Sequence, residues 1–295
     1  MKQYNYSVII PHYNCPLLLQ RCLDSIPDRE DIQVIIVDDN SSKDIVDFEH
    51  FPGINRHFTQ IIFNKDSHGA GHARNLALPE AKGKWLLFAD ADDYFTPVAW
   101  ETIGAYNDSE ADIVYLNIQS VDNQTGEVLH DRGDLRIHNL KQYISTGKKE
   151  YEYFLRFWNN SPWAKMIRND IVTQNNIIFG ETKHANDTLF SAKTAIAAKS
   201  INASVNVCYS VTRTTNSLTQ DMSRDAIALR YEVCLQKNEL LRTNGWRKYQ
   251  EPIHPYLRSL LKFGIPGIIT FIRLSLQYKG DFIQSVYWYF KRKNY

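Results

Sequence analysis

Short apolar runs and helix-spaced segments alternate along the first ninety residues. Residues 7–11 (SVIIP), 32–38 (IQVIIVD), 59–63 and 85–89 (WLLFA) are nearly continuous apolar runs. Such runs predict strands buried on both faces, as in a parallel sheet covered by helices. Between them, residues 16–26 predict a helix with Pro16 in its first turn. A second helix is expected from about Ser42, and a third over 70–81, ended by Gly83. Farther on, 113–121 reads as a strand, and Asn123-Gln124-Thr125-Gly126 as a turn that would close a hairpin. Helices are expected near Pro97 and over 151–158, 187–198 and 225–242, with a strand at 205–212. The whole predicts an α/β fold, a mostly parallel sheet flanked by helices, followed by a helical extension. A soft boundary falls at 219–224.

In sheets of this kind ligands sit beyond the carboxyl ends of the strands. Three of the four early strands run there into polar residues: His12-Tyr13-Asn14, Asp38-Asp39-Asn40 and Asp90-Ala91-Asp92-Asp93. Residues i and i+2 of a strand point to one side, so Asp90 and Asp92 aim two carboxylates at one point. Hard cations such as Mg²⁺ or Mn²⁺ take oxygen ligands of this type. Alone, the triplet reads first as an acidic, solvated turn capping the helix near Pro97; here it follows WLLFA directly and does not stand alone. The 38–42 run either accepts hydrogen bonds from a nucleoside or caps a helix. Tyr13 either stacks on a base or packs on its own domain. Gly69-Ala70-Gly71-His72-Ala73-Arg74-Asn75 opens a helix whose N-terminus favours anions. Arg74 either meets a carboxylate or phosphate there, or forms a structural ion pair.

Composition adds little to this picture except at one end. The chain has 295 residues, 43% hydrophobic and 23% charged, with 34 bases against 33 acids. From residue 255 onward there are seven bases and one acid, Asp281, leaving 27 bases against 32 acids before it. Leu257, Leu260, Leu261, Ile265, Ile268, Phe271 and Ile272 keep helical spacing, with a break expected at Pro266. Phe282, Val286 and Tyr289 repeat the pattern before Lys291-Arg292-Lys293. A basic, apolar segment of this kind predicts peripheral contact with an anionic membrane surface; the competing reading packs it on the preceding domain. The apolar stretch 263–272 is too short to span a bilayer, and no signal peptide is read at the start. Four scattered cysteines suit a reducing compartment. Together these features predict a cytoplasmic protein, peripheral at the inner face of the cell membrane, with no nucleic-acid partner.

SVIIPHYN, IIVDDNSS, GHARN and WLLFADADDYF, in this order and at these spacings, resemble glycosyltransferase family 2, with its GT-A, Rossmann-like fold. Three later segments resemble the family as well: Ser161-Pro162-Trp163-Ala164-Lys165, His184-Ala185-Asn186-Asp187-Thr188-Leu189-Phe190, and 209–217 (YSVTRTTNS). The resemblance covers roughly the first 220 residues. It implies a catalytic domain over 1–220, with a nucleotide-sugar half to about 120 and an acceptor half after it, and a helical extension over 221–295. It implies that Pro11, Tyr13 and Asp39 hold the nucleoside with Asn14 and Asp38 nearby. Asp90, beside Ala91, would meet ribose or donor sugar, and Asp92 the divalent metal. Arg74 would support the acidic cluster or the donor, and Arg213 would neutralise diphosphate or pair with a surface acid. Asp187 would be the catalytic base, although locally it reads as a helix cap. Trp163, Lys165, His184 and Asn186 would belong to the acceptor region. His184 reads by itself as a solvated loop histidine, and Asn186 stands where the family usually has Glu.

The activity so implied is inverting transfer of one sugar from a nucleotide-diphosphate sugar, UDP being favoured, to a glycan or lipid-linked glycan. The processive signature Q-x-x-R-W is absent from the sequence. Two other readings compete. A sugar nucleotidyltransferase would need a Gly-rich loop with Lys or Arg after the first strand, and none is present. A glycan-binding pseudoenzyme would not need Asp90, Asp92 and Asp187 together.

Overall fold

The structure, a computed structural model, describes residues 4–129, 132–213 and 221–280, without the side chains of 132–134. Four parallel strands form its first half: β1 (Tyr4–His12), β2 (Ile32–Asp39), β3 (Thr59–Asn64) and β4 (Gly83–Phe88). The sheet runs β3-β2-β1-β4-β8-β6-β9-β5. The additional strands are β5 (Tyr94–Phe95), β6 (Ile113–Asp122), β8 (Lys165–Arg168) and β9 (Ile201–Arg213), with β7 (Val128–Leu129) on β6. β6 and β9 are parallel to each other, while β8 and β5 are antiparallel to their neighbours. The expected mostly parallel sheet is therefore present, with an antiparallel graft in its second half.

Alternation within the apolar runs divides them between two cores. Val8, Ile10, Val34, Ile36, Trp85 and Leu87 face one side, with Leu19 and Leu23 of α1 (Pro16–Asp24) and Ile103 of α3 (Ala99–Ala105). Ile9, Ile35, Val37, Leu86 and Phe88 face the other. There they meet Ala73 and Ala77 of α2 (Ala70–Ala77), Leu140 of α4 (Arg132–Thr146), Leu155 of α5 (Lys149–Phe157), Ile171 of α6 (Asn169–Gln174) and Phe190 of α7 (Thr188–Ala197). Burying both sheet faces is what lets the strands read as continuous apolar runs.

The chain moves outward from β1 through β2 to β3, then returns to pair β4 on the other side of β1. A crevice opens at such a reversal, between the carboxyl ends of β1 and β4. His12-Tyr13-Asn14 and Asp90-Ala91-Asp92 both lie there.

The helix expected from Ser42 does not form. Ile45 and Val46 N–H reach the Ser42 carbonyl, making one turn. Asp47 then takes Glu49 and His50 N–H on its own carboxylate, and buried Phe51 and Pro52 follow. A side chain that satisfies backbone donors locally competes with a helix, and Pro52 could not have continued one. α2 stops at Ala77 and passes into a 3-10 turn, Leu78–Glu80, so Gly83 opens β4 rather than ending a helix.

Among the described residues after 220, three α-helices occur: α8 (Arg224–Thr243), α9 (His254–Leu261) and α10 (Gly264–Gln277). They share a core of Ile227, Tyr231, Leu235, Leu260, Phe271 and Leu274. Leu241 joins this bundle to Phe157 and Ala195 of the main domain. Lys237, fully buried on α8, donates to the Phe157 carbonyl (2.5 Å) and Asn160 Oδ1 (2.7 Å) and pairs with Glu251. The break expected at Pro266 lies instead at residues 262–263; Pro266 sits in the first turn of α10, where no backbone donor is needed. The segments 214–217 and 281–295, including Phe282, Val286, Tyr289 and Lys291-Arg292-Lys293, lie outside the described residues.

Candidate active site

A cavity of about 650 Å³ occupies the crevice. Nine of the sequence-selected residues line it: Pro11, Tyr13, Arg74, Asp90, Ala91, Asp92, His184, Asn186 and Asp187. They come from the ends of β1 and β4, from α2, and from the segment before α7. Asn14, Asp38, Asp39, Trp163, Lys165 and Arg213 do not line it.

The acidic turn after β4 is built from behind. Asp90 N–H donates to the Tyr209 hydroxyl (2.9 Å), and Trp163 stacks on the Tyr209 ring at 5.7 Å. Asp93 is buried, and its Oδ1 accepts the Thr212 N–H at 2.6 Å. Carboxylate oxygens of Asp90, Asp92 and Asp93 lie within 4.8 Å of one another. Burial, and then the neighbouring Asp90 carboxylate, push the Asp92 pKa up to about 6. The same two causes raise Asp93 further. Asp93 is thus a structural anchor, while Asp90 and Asp92 present free oxygen to the cavity.

Sequence reading missed Arg21. Its Nη2 donates to the Asp92 carbonyl (2.6 Å) and Thr212 Oγ1 (3.0 Å), and its Nη1 to Asn123 Oδ1 (3.2 Å). The guanidinium lies over the Tyr94 ring at 5.1 Å. One arginine of α1 therefore fixes the acidic turn to β9 and to the β6–β7 turn. Nothing local marks a residue that acts on a distant carbonyl. Lys183 and Arg230 also line the cavity and were not selected.

Arg74 spans the floor. Its Nη2 meets Asp90 Oδ1 at 2.5 Å, its Nη1 meets Asn186 Oδ1 at 3.1 Å, and Phe179 lies 5.2 Å under it. Gly71, one turn earlier, lets α2 approach this segment: a Cβ there would overlap the Gly180 carbonyl oxygen and touch Asn186 Cβ. Asp187 starts α7, half-buried, and makes no side-chain cap bond. Burial raises its pKa, with Arg74 opposing. The capping alternative therefore does not describe its side chain.

Asp38 and Asp39 are spent inside the protein. The Cys15 N–H donates to His12 Nε2 (3.2 Å), so the ring proton is on Nδ1, which donates to Asp38 Oδ1 at 2.7 Å. Asp38 also accepts Ser41 N–H (3.0 Å) and Ser41 Oγ–H (2.6 Å). Burial alone would raise its pKa; the bonds from His12 and Ser41 outweigh that and lower it. Ser41 Oγ in turn accepts Asn14 N–H, and Asn14 Oδ1 accepts Ser42 N–H, both at 2.8 Å. Asp39 gathers the loop before α2, accepting from Gly69 N–H (2.7 Å), His68 N–H, Asn64 and Ser67. These two carboxylates hold the loops that leave Tyr13 standing 56% exposed at the rim.

Lys165 is buried, donating to the Asn159 carbonyl at 2.7 Å, and burial drives its pKa well down. His184 is not the solvated loop histidine its local sequence suggests. It is 6% exposed, its Nε2 lies 3.2 Å from Asp221 Oδ2, and burial lowers its pKa. Arg213 lies at the end of β9, its carbonyl accepting Asn123 N–H at 3.2 Å.

Residues 7–174 match the family described as glycosyl transferase family 2. The chain is 25% identical over 190 residues to YibD, an uncharacterized glycosyltransferase of Escherichia coli K12, covering 63% of this chain and 55% of that protein. It is 24% identical over 205 residues to EpsH, a putative glycosyltransferase of Bacillus subtilis 168, covering 66% and 57% respectively. The chain thus spans little more than half the length of these curated relatives. The crystal structure of S. aureus TarS 1–349 in complex with UDP-GlcNAc is similar in fold, with a TM-score of 0.66 and 22% identity over 96% of this chain and 81% of that one.

Proposed function

The chain belongs to glycosyl transferase family 2, and on that premise we propose that it is an inverting glycosyltransferase. It moves one sugar from a nucleotide-diphosphate sugar, a UDP-sugar by preference, to a hydroxyl of a glycan or lipid-linked glycan. Its setting would be cell-surface polysaccharide synthesis, at the cytoplasmic face of the membrane. One observation carries the reading. Asp187 faces the same cavity as Asp90 and Asp92, but from a different element, with Arg74 between them. Inverting transfer needs such a division, because acceptor and leaving group stand on opposite faces of the anomeric carbon. The UDP preference is supported by TarS, the structural relative crystallised with UDP-GlcNAc.

The acidic turn fits a divalent cation. Two hard oxygen donors face the cavity, and the raised Asp92 pKa marks negative charge that lacks full compensation. Asp92 would hold Mn²⁺ or Mg²⁺, with Asp90 on the donor's ribose or sugar. When bound, the ion offsets diphosphate charge and improves it as a leaving group.

The chain's own residues do the rest. Tyr13 lays its free ring on the base beside Pro11. Asp39 holds the nucleoside through the loop it orders, and Asp38 and Asn14 brace Tyr13 from below. Arg213 would reach the diphosphate, and Trp163 and Lys165 would support the acceptor region from the core. His184 and Asn186 line the acceptor side. The acceptor oxygen bonds to the anomeric carbon while Asp187 takes its proton. The bond from that carbon to the diphosphate breaks on the far face, and its electron pair leaves with the nucleoside diphosphate. Burial makes Asp187 a stronger base than a solvated carboxylate, and Arg74 keeps it ionised at neutral pH.

The test is Asp187→Asn. Transfer should fall by about 10²-fold or more, while the shift in melting temperature on adding UDP and Mn²⁺ is kept. Undiminished transfer would sink the base assignment. The absence of any thermal shift across nucleoside diphosphates, with and without Mn²⁺, would sink the donor reading.

A further inference from the structure

α10 carries apolar residues on two faces, with Thr270, Arg273 and Gln277 between them, whereas an ordinary surface helix buries its one apolar face. Its inner face, Gly267, Phe271 and Leu274, packs against α8 and α9. Its outer face is bare: Ile265 is 72% exposed and Leu276 76%, with Ile269 and Ile272 open between them. These four residues are spaced 4, 3 and 4 apart, so they form one stripe along the helix. Leu261 and Phe263, at the turn from α9, are exposed as well. Arg258, Lys262, Arg273 and Lys279 of the same segment are exposed, and residues 254–280 contain no acid.

We propose that this face is a docking surface for an anionic lipid bilayer, with the α10 stripe immersed below the headgroups and the four bases paired with lipid phosphates. Charge decides among the occupants. A second copy of the chain on this face would bring a second set of bases and, from residues 254–280, no acid to pair with the first. Residues 281–295 carry Lys291, Arg292 and Lys293 and would also bring like charge. An anionic surface complements the bases and accepts the apolar stripe at once. At 14 residues α10 is about 21 Å long, too short to cross a bilayer, and no helix among the described residues is long and apolar enough to do so. It therefore lies in the membrane plane. Phe263 and Pro266 share a shallow pocket with Ser223, Arg224 and Asp225 at the start of α8, and Arg230, one turn and a half along that helix, lines the main cavity. The docking helix thus borders the start of the same α8 whose Arg230 lines the cavity. The proposal extends the transfer reading without resting on it, since lipid binding is scored with neither donor nor acceptor present.

The experiment is flotation of the full chain with vesicles of phosphatidylcholine alone or mixed with phosphatidylglycerol. The chain should float with the anionic vesicles, stay behind with neutral ones, and be released in part by salt. Ile269→Glu/Ile272→Glu should lower partitioning about tenfold or more with an unchanged melting temperature, because both side chains are exposed. Arg258→Glu/Lys262→Glu should abolish the preference for anionic lipid. Wild-type chain that does not float overturns the proposal. So does an Ile269→Glu/Ile272→Glu variant that floats normally while removal of residues 281–295 stops flotation. So does a dimer in sedimentation velocity that the same double variant dissociates, since the occupant is then a second copy.

Discussion

Burial, and after it the neighbouring Asp90 carboxylate, hold Asp92 in a costly state. Its folded pKa of about 6 exceeds the roughly 4 of an unfolded aspartate, so between these values the folded chain keeps a proton that the unfolded chain has shed. Stability contributed at this site therefore falls as pH rises from about 4 through 6, and the full cost is present above 6. Asp92→Asn should melt a few degrees higher than wild type at pH 7.5 in chelator. The difference should shrink toward pH 4, with a ceiling of about 3 kcal/mol. An unchanged melting temperature at both pH values would show the carboxylate to be well solvated. The residues at strand ends were legible in sequence because the apolar runs that carry them set their direction. Their division of labour was not. Asp38 and Asp90 occupy equivalent ends of β2 and β4, yet Asp38 is consumed by His12 and Ser41 while Asp90 keeps oxygen free for the cavity. Only the loops that fold back over each strand decide that.

Elements meet at the site through side chains that never face the cavity. Arg21 on α1 ties the Asp92 carbonyl to Thr212 and Asn123. Arg21→Met leaves that carbonyl unpaired and should cost about 1–3 kcal/mol in urea unfolding. Mn²⁺ affinity should weaken several-fold at the same time; an unchanged metal titration would separate the turn from its brace. Lys237 does similar work for the helical extension. Lys237→Met strands the Glu251 carboxylate and should cost about 3–5 kcal/mol, most of it recovered in Lys237→Met/Glu251→Leu. β1, β2 and β4 were plain in the sequence because they are buried on both faces. β8 was not, since four residues starting at buried Lys165 carry no strand pattern. α4 was missed as well: its amphipathic spacing is weak, and Arg136, the kind of residue that reads as surface, turns inward to the Leu116 and Ala164 carbonyls.

The whole molecule brings the ends of β1 and β4 and the segment before α7 together across one cavity, and stands its helical bundle against α7. Because Leu241 and Lys237 fasten α8 to the main domain, calorimetry should record one unfolding transition; two well-separated ones would make the bundle an independent unit. Transfer at limiting Mn²⁺ should decline below about pH 6, where the proton Asp92 takes up competes with the cation; Asp187 is raised by burial as well. A rate flat from pH 8 to 5 would remove both carboxylates from the rate-determining chemistry. Arg74 reaches Asp90 with one nitrogen and Asn186 with another, so the two sides of the cavity share a single positive charge. A donor that draws Asp90 onto its ribose or sugar leaves that charge more fully to Asn186 and the Asp187 carboxylate beside it. Linkage of this kind is reciprocal: the two substrates should each tighten the other's binding, and donor titrations repeated at rising acceptor concentration should converge on a lower dissociation constant. In Arg74→Met that mutual help should vanish, leaving an enzyme whose substrates bind as strangers.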